Sequence, residues 1–69
     1  MKNQLSTILG AKRLSMTDVF NATQISRTTL HGLYYEKTKN PDSLTVMKIC
    51  EYLNITPNEF YGIVQYKEG

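Results

Sequence analysis

Apolar residues recur along most of the chain at intervals of three and four positions, the spacing of helices that bury one face. The pattern predicts five helices and no internal sheet, so the predicted fold class is all-α. The predicted inward-facing residues, in chain order, are Leu5, Ile8 and Leu9; Val19 and Phe20; Leu30, Leu33 and Tyr34; Val46, Ile49, Cys50 and Leu53; and Phe60 and Tyr61. We expect a single domain over residues 1–69, with a core over about 3–62 and an apolar tail over 63–69.

Capping residues mark where several of these helices begin. Ser15 can cap the amide of Asp18, whose carboxylate can reach back, and this reciprocal pair predicts the start of the second helix. Ser26 is a good cap for a third helix that runs from residue 27 to about 36. Residues 56–59 (Thr-Pro-Asn-Glu) combine a cap, a proline at the first helical position and a glutamate at the third, which predicts the last helix.

The second and third predicted helices are separated by only three residues. They must therefore meet at a tight corner, with Ile25 buried beneath it. The outward face of the third helix is then formed by Arg27, Thr28, His31, Gly32 and Tyr35. Arg27 can donate two hydrogen bonds to guanine O6 and N7, and Thr28 can bond a base edge or touch a thymine methyl. A merely solvated surface would favour Glu and Lys pairs, so this face favours nucleic-acid recognition.

Length and composition narrow the function classes. The chain has 69 residues, a formal net charge of +2 and one cysteine. This length leaves no room for a second domain or an elaborate active site, and a lone Cys50 excludes a disulfide framework or a zinc site of cysteine pairs. His31 has no second ligand at helical spacing and no acids are paired for general acid–base work, so we expect no enzyme activity, metal or cofactor. No long apolar run opens the chain, so we expect no membrane segment and a cytoplasmic location.

Four segments carry a resemblance to a known family. They are residues 14–20 (Leu-Ser-Met-Thr-Asp-Val-Phe), 25–30 (Ile-Ser-Arg-Thr-Thr-Leu), 37–41 (Lys-Thr-Lys-Asn-Pro) and 53–56 (Leu-Asn-Ile-Thr). The chain resembles the Cro and phage-repressor helix-turn-helix family, also called the xenobiotic-response-element type. The resemblance implies a compact five-helix, lambda-repressor-like domain that binds double-stranded DNA, usually as a homodimer. Helix 3 would enter the major groove and helix 2 would lie across the backbone.

The resemblance also implies roles by position. Arg27 and Thr28, the first residues of the recognition helix, would read bases. The start of helix 2 would hold phosphate, and the loop after helix 3 would meet the backbone on the other side. The predicted DNA-contact residues are Met16, Thr17, Asn21, Ser26, Arg27, Thr28, His31, Gly32, Tyr35, Lys37, Lys39 and Asn40. The aromatic residues expected to close the core instead are Tyr52, Phe60 and Tyr61.

The chain departs from the family pattern at several positions. Phe20 stands where the family usually has Ala at a close helix crossing, which predicts a wider crossing or an outward rotamer. Gln24 stands where it usually has Gly, at a turn position that favours left-handed backbone and where Gln should cost roughly 1–2 kcal/mol. Leu9 and Tyr34 stand where many members carry a partly buried Arg and Glu pair, and joint apolar replacement of such a pair is often neutral. Glu36 replaces the Gly at the end of helix 3.

These observations favour a small Cro-like repressor, a transcriptional regulator that acts by operator occupancy as a homodimer without a small-molecule ligand. The surface expected to dimerise is the last helix and the tail, with Phe60, Ile63, Val64 and Tyr66. A rival hypothesis is a protein-interaction module, such as an antitoxin, antirepressor or adaptor, on a helix-turn-helix frame. Retention on random-sequence DNA at low salt would favour the regulator, and no retention in any salt would favour the adaptor.

Overall fold

The predicted all-α architecture is confirmed in the computed structural model, which describes residues 2–66. Within that range the chain forms five helices and no strand: α1 (Leu5–Lys12), α2 (Met16–Thr23), α3 (Arg27–Tyr34), α4 (Ser43–Leu53) and α5 (Pro57–Tyr61). Helix α3 ends two residues earlier than the expected end at Glu36, because Glu36 takes a positive φ of 58° that ends the helical run. Of the predicted apolar tail, residues 67–69 lie outside the described residues.

Both predicted capping boxes form. At α2, the Ser15 Oγ accepts from the Asp18 amide at 3.2 Å, and the Asp18 carboxylate accepts from the Ser15 amide at 2.9 Å. At α5, the matching distances between Thr56 and Glu59 are 3.1 and 2.9 Å. Each box satisfies two backbone donors that a helix start would otherwise leave to solvent.

The corner between α2 and α3 has the predicted geometry. Gln24 ends α2 in left-handed backbone at φ 61°, as its place in the turn predicts. Its Nε2 donates to the carbonyl of Asn21 at 3.0 Å, so the side chain covers an acceptor at the helix end. Ser26 then caps α3 by accepting from the Thr29 amide at 3.2 Å, and Ile25 is buried under the corner. These local contacts end α2 and begin α3 within three residues.

The core lies where α2 packs on α3 and α4, with α1 against α3 and α5 against α4. The predicted inward residues Leu5, Ile8, Leu9, Val19, Leu30, Leu33, Val46, Ile49, Cys50, Leu53 and Phe60 are all buried. Tyr34 and Tyr61 are half-buried against them. Tyr52 does not close the core as expected; it is 38% exposed and lines a surface hollow with Ala22 and Thr23 of α2. None of the described helices has the length and apolar character needed to cross a bilayer.

The buried side chain of Asn3, whose role the sequence did not predict, connects the start of α1 to α3 through hydrogen bonds. Asn3 is the only buried polar residue among residues 2–66. Its Nδ2 donates to the Leu33 carbonyl at 2.9 Å, and its Oδ1 accepts from the Leu5 amide at 2.9 Å. Its backbone amide donates to the Glu36 carboxylate at 3.2 Å. The start of α1 and the end of α3 are thus fastened to each other by one side chain.

Gln4, the next residue, connects the start of α1 to α5. The Gln4 amide donates to the carbonyl of Phe60 at 2.8 Å. Phe60 itself has no exposed surface, so its side chain belongs to the core. The expectation that Phe60 contributes to a dimer surface is therefore corrected, because a side chain with no exposed surface offers a second chain nothing to contact.

Candidate nucleic-acid interface

Helix α3 presents a polar outer face because its apolar residues face the core. Leu30 and Leu33 are buried, and each is fixed there by its place on the inward stripe of the helix. Thr28 and His31 share the opposite side, since positions three and four apart lie on one side of a helix. Both are exposed, as predicted, and so is Arg27, which stands at the first position of the helix.

These exposed side chains line one side of a shallow groove. The groove has a volume of about 460 Å³ and is lined by Arg27, Thr28, His31, Gly32 and Lys37. A second hollow is lined by Met16, Thr17, Arg27 and His31. Because Arg27 and His31 belong to both hollows, the start of α2, the outer face of α3 and the loop after α3 form one continuous surface. We call this the α2–α3 surface.

The start of α2 gives this surface an anion-binding character. Met16 and Thr17 occupy the first two positions of the helix, where backbone amides have no acceptor within the helix. The capping box uses the third amide, that of Asp18, so the Ser15 side chain does not cap the amides of Met16 and Thr17. The partial positive charge of a helix start favours a phosphate at this point. Arg27 adds a full positive charge in the same hollow, and Lys37 adds another in the groove on the outer face of α3.

Gly32 shapes the surface through the chain's own loop. A Cβ at this position would lie 2.6 Å from the Thr38 Oγ1, far inside contact distance. The Gly32 carbonyl also accepts from the amides of Lys37 and Thr38, at 2.8 and 3.2 Å. The missing side chain therefore lets the loop that carries Lys37 close onto α3. A glycine in a helix interior lowers stability by roughly 1 kcal/mol relative to alanine. This unfavourable choice of residue was the feature of the sequence that indicated a close approach at Gly32.

Two aromatic contacts fix side chains on the surface. The Arg27 guanidinium lies over the Phe20 ring, with 5.1 Å between its Cζ and the ring centroid. Phe20 is half-buried against the core, so the family departure is accommodated by a ring turned towards the start of α3. The His31 and Tyr35 rings lie 4.6 Å apart by their centroids, and Tyr35 meets Tyr34 edge-on at 4.9 Å. These contacts restrict the rotamers of Arg27 and His31 before any ligand arrives.

Five predicted contact residues line neither hollow. Asn21, Ser26, Tyr35, Lys39 and Asn40 are all exposed. Ser26 is engaged in the α3 cap, where its Oγ lies 2.9 Å from the Thr29 Oγ1 and accepts from the Thr29 amide. The backbone carbonyl of Asn21 accepts from the Gln24 Nε2, and the Asn21 residue is exposed. The structure thus brings together seven of the predicted residues and leaves these five at its edges or beyond.

The fold and this surface together define a helix-turn-helix domain: two short helices, a tight corner between them, and an outward polar face on the second. A family model of the Cro/C1-type HTH DNA-binding domain matches residues 4–65. The chain belongs to this family, as the four sequence segments had indicated. No match is found among curated proteins or among solved structures.

Proposed function

We propose that this protein is a sequence-specific transcriptional regulator that binds double-stranded DNA in the cytoplasm as a homodimer and represses by occupying its operator. The observation that carries the proposal is the continuity of the α2–α3 surface. A side chain suited to guanine, a helix start suited to phosphate and a lysine beyond α3 lie side by side. This is the order in which a duplex presents a base edge between two backbones.

Each part of the surface has a proposed partner on the duplex. Arg27 donates to O6 and N7 of a guanine, and Thr28 meets the neighbouring base edge. The amides of Met16 and Thr17 bind a phosphate on one strand, and Lys37 binds a phosphate on the other side of the groove. His31 lies between these contacts, within reach of base or backbone.

The proposed self-association uses the segment after α5. Ile63 and Val64 are exposed by 74% and 50%, among the largest apolar exposures in the described part of the chain. Tyr66 is half-buried, with the Lys12 ammonium 5.5 Å from its ring centroid, so it lies against α1 and supports the segment from below. Two copies joined here would need to present their α3 helices one duplex turn apart, which sets half-sites 10–10.5 base pairs apart.

Binding to DNA tests the regulator directly. Wild-type protein is titrated against a pool of random-sequence duplexes over a salt series, and bound duplexes are then selected and sequenced. We expect retention at low salt, loss of most random-sequence binding near physiological salt, and enrichment of a two-fold symmetric site. No retention at any salt would contradict DNA binding by this surface.

The Arg27→Ala variant distinguishes a base contact by Arg27 from a contact with the phosphate backbone. We expect it to weaken binding to the selected duplex by about 1–3 kcal/mol and to relax preference at one base pair in each half-site. Lys48→Ala is the matched control, because it removes one positive charge from an exposed residue of α4 that lines neither hollow of the α2–α3 surface. Equal weakening on selected and random duplexes by Arg27→Ala would show that Arg27 binds phosphate only.

Sedimentation tests the dimer. We expect Ile63→Asp to shift the protein from dimer to monomer, because it buries a charge in the proposed contact. Met47→Asp is the control, since Met47 is also a largely exposed apolar residue but stands on α4. A wild-type protein that sediments as a monomer at the concentrations that bind DNA cooperatively, or equal effects of the two variants, would contradict this interface.

A further inference from the structure

Phe20 is not among the residues proposed to contact DNA. Its side chain nevertheless contacts Arg27, the residue proposed to read a guanine. Its ring lies under the Arg27 guanidinium at 5.1 Å. We infer that Phe20 is a specificity-determining residue, which acts by holding Arg27 in the orientation that reads guanine. This role for Phe20 rests on the proposed function, since it explains why the protein would prefer a guanine at the position that Arg27 contacts.

The first argument is electrostatic. Arg27 occupies the first position of α3, where the partial positive charge of the helix start disfavours a cation. The face of an aromatic ring carries negative charge density and attracts a guanidinium within about 6 Å. The Phe20 ring therefore supplies the attraction that Arg27 lacks from its own helix.

The second argument is geometric. A guanidinium is planar and donates its hydrogen bonds in that plane, so a ring stacked on its face leaves the donating edge free. Bidentate binding to guanine O6 and N7 uses that edge. Phe20 and guanine can thus engage Arg27 at the same time, one through the face and one through the edge.

The third argument concerns conformational freedom. An exposed arginine loses rotamer freedom when it binds a base, and this loss opposes binding. Phe20 is half-buried against the core, so its own position is set by packing and not by the ligand. Arg27 is held before DNA arrives, and less of its freedom remains to be lost. The resulting gain in affinity applies only where Arg27 meets a guanine. It therefore increases the preference of the protein for that base.

Two substitutions separate the ring's charge distribution from its bulk. Phe20→Leu keeps an apolar side chain against the core and removes the aromatic face. Phe20→Tyr keeps the face. We expect Phe20→Leu to weaken binding to the selected duplex by about 2- to 30-fold, the span of exposed to desolvated cation–π contacts, and Phe20→Tyr to restore most of it. In an Arg27→Ala background, Phe20→Leu should have no further effect.

The probe is the duplex selected by the wild-type protein, with the Arg27-dependent guanine replaced by 7-deazaguanine. This base lacks the N7 acceptor and keeps Watson–Crick pairing. We expect the replacement to weaken wild-type binding and to matter much less to the Phe20→Leu variant. Equal sensitivity of the two proteins to 7-deazaguanine, or additive losses from Phe20→Leu and Arg27→Ala, would overturn the role assigned to Phe20.

A measurement without DNA keeps this inference distinct from the proposed function. In the free protein, the ring current of Phe20 should shift the Arg27 side-chain proton resonances upfield, and Phe20→Leu should abolish the shift. Thermal unfolding of each variant verifies that the domain remains folded. If the shift is present but wild-type protein enriches no duplex, the regulator itself is refuted. If duplexes are enriched but the shift is absent, the Phe20 contact is refuted and the regulator stands.

Discussion

Replacing Asn3 with alanine should destabilise the domain more than its place near the chain start suggests. The side chain makes two buried hydrogen bonds, to the Leu33 carbonyl and from the Leu5 amide, both at 2.9 Å. A buried neutral hydrogen bond contributes about 0.5–1.5 kcal/mol net, so the loss of two should lower the free energy of unfolding by about 1–3 kcal/mol. For a domain of this size, a central value of about 2 kcal/mol lowers Tm by about 8–16 °C.

The assay is thermal unfolding followed by circular dichroism, with Ser6→Ala as the control. Ser6 is exposed on the same helix, and shortening a surface side chain should change stability by less than about 0.5 kcal/mol. Amide hydrogen exchange localises the effect: the Leu5 amide should lose protection, while the Asp18 amide, capped by Ser15, should keep its own. A Tm drop no larger than that of Ser6→Ala would refute the view that Asn3 fastens α1 to α3.

Three further predictions concern backbone fit and ionisation. Gly32→Ala should fail to give the stabilisation of about 1 kcal/mol normal for a helix interior, and the same change in a Thr38→Ala background should recover it, as chemical denaturation can measure. Gln24→Gly should raise Tm, because it relieves left-handed strain of about 1 kcal/mol at φ 61°; an unchanged or lower Tm would show that the side-chain cap outweighs the strain. Burial, and then the charge of Glu59, raise the pKa of the Cys50 thiol above its ordinary value of 9.0. The unfolded chain therefore ionises first, so this residue's contribution to stability should be lost as pH rises above about 9, and a Cys50→Ala variant should lack that loss in an alkaline unfolding series.

The parts of the fold that follow from neighbouring residues were predictable. Ser15, Ser26 and Thr56 each cap an amide three positions later, so a short window of sequence contains the whole interaction. The left-handed residue Gln24 is local in the same sense. The match of the outward residues to one surface also follows, since helical period and a tight corner together decide which side chains face out.

The parts that were missed depend on residues distant in sequence. Asn3 bonds to a carbonyl 30 positions later, and no local pattern distinguishes it from a solvated asparagine. Tyr52 and Phe60 were both expected to close the core, but only Phe60 is buried, because packing against other helices decides which aromatic ring is covered. Phe20 was recognised as a departure from the family, while its contact with Arg27 depends on a rotamer that sequence does not specify.

The hydrogen bonds of Asn3 and Gln4 have a practical consequence for handling the protein. A polypeptide fused ahead of residue 2 would emerge beside the carboxyl end of α3 and the carbonyl of Phe60. An affinity tag at that end would crowd the same bonds, which hold α3 in place. The affinity for DNA should therefore be measured after such a tag has been cleaved.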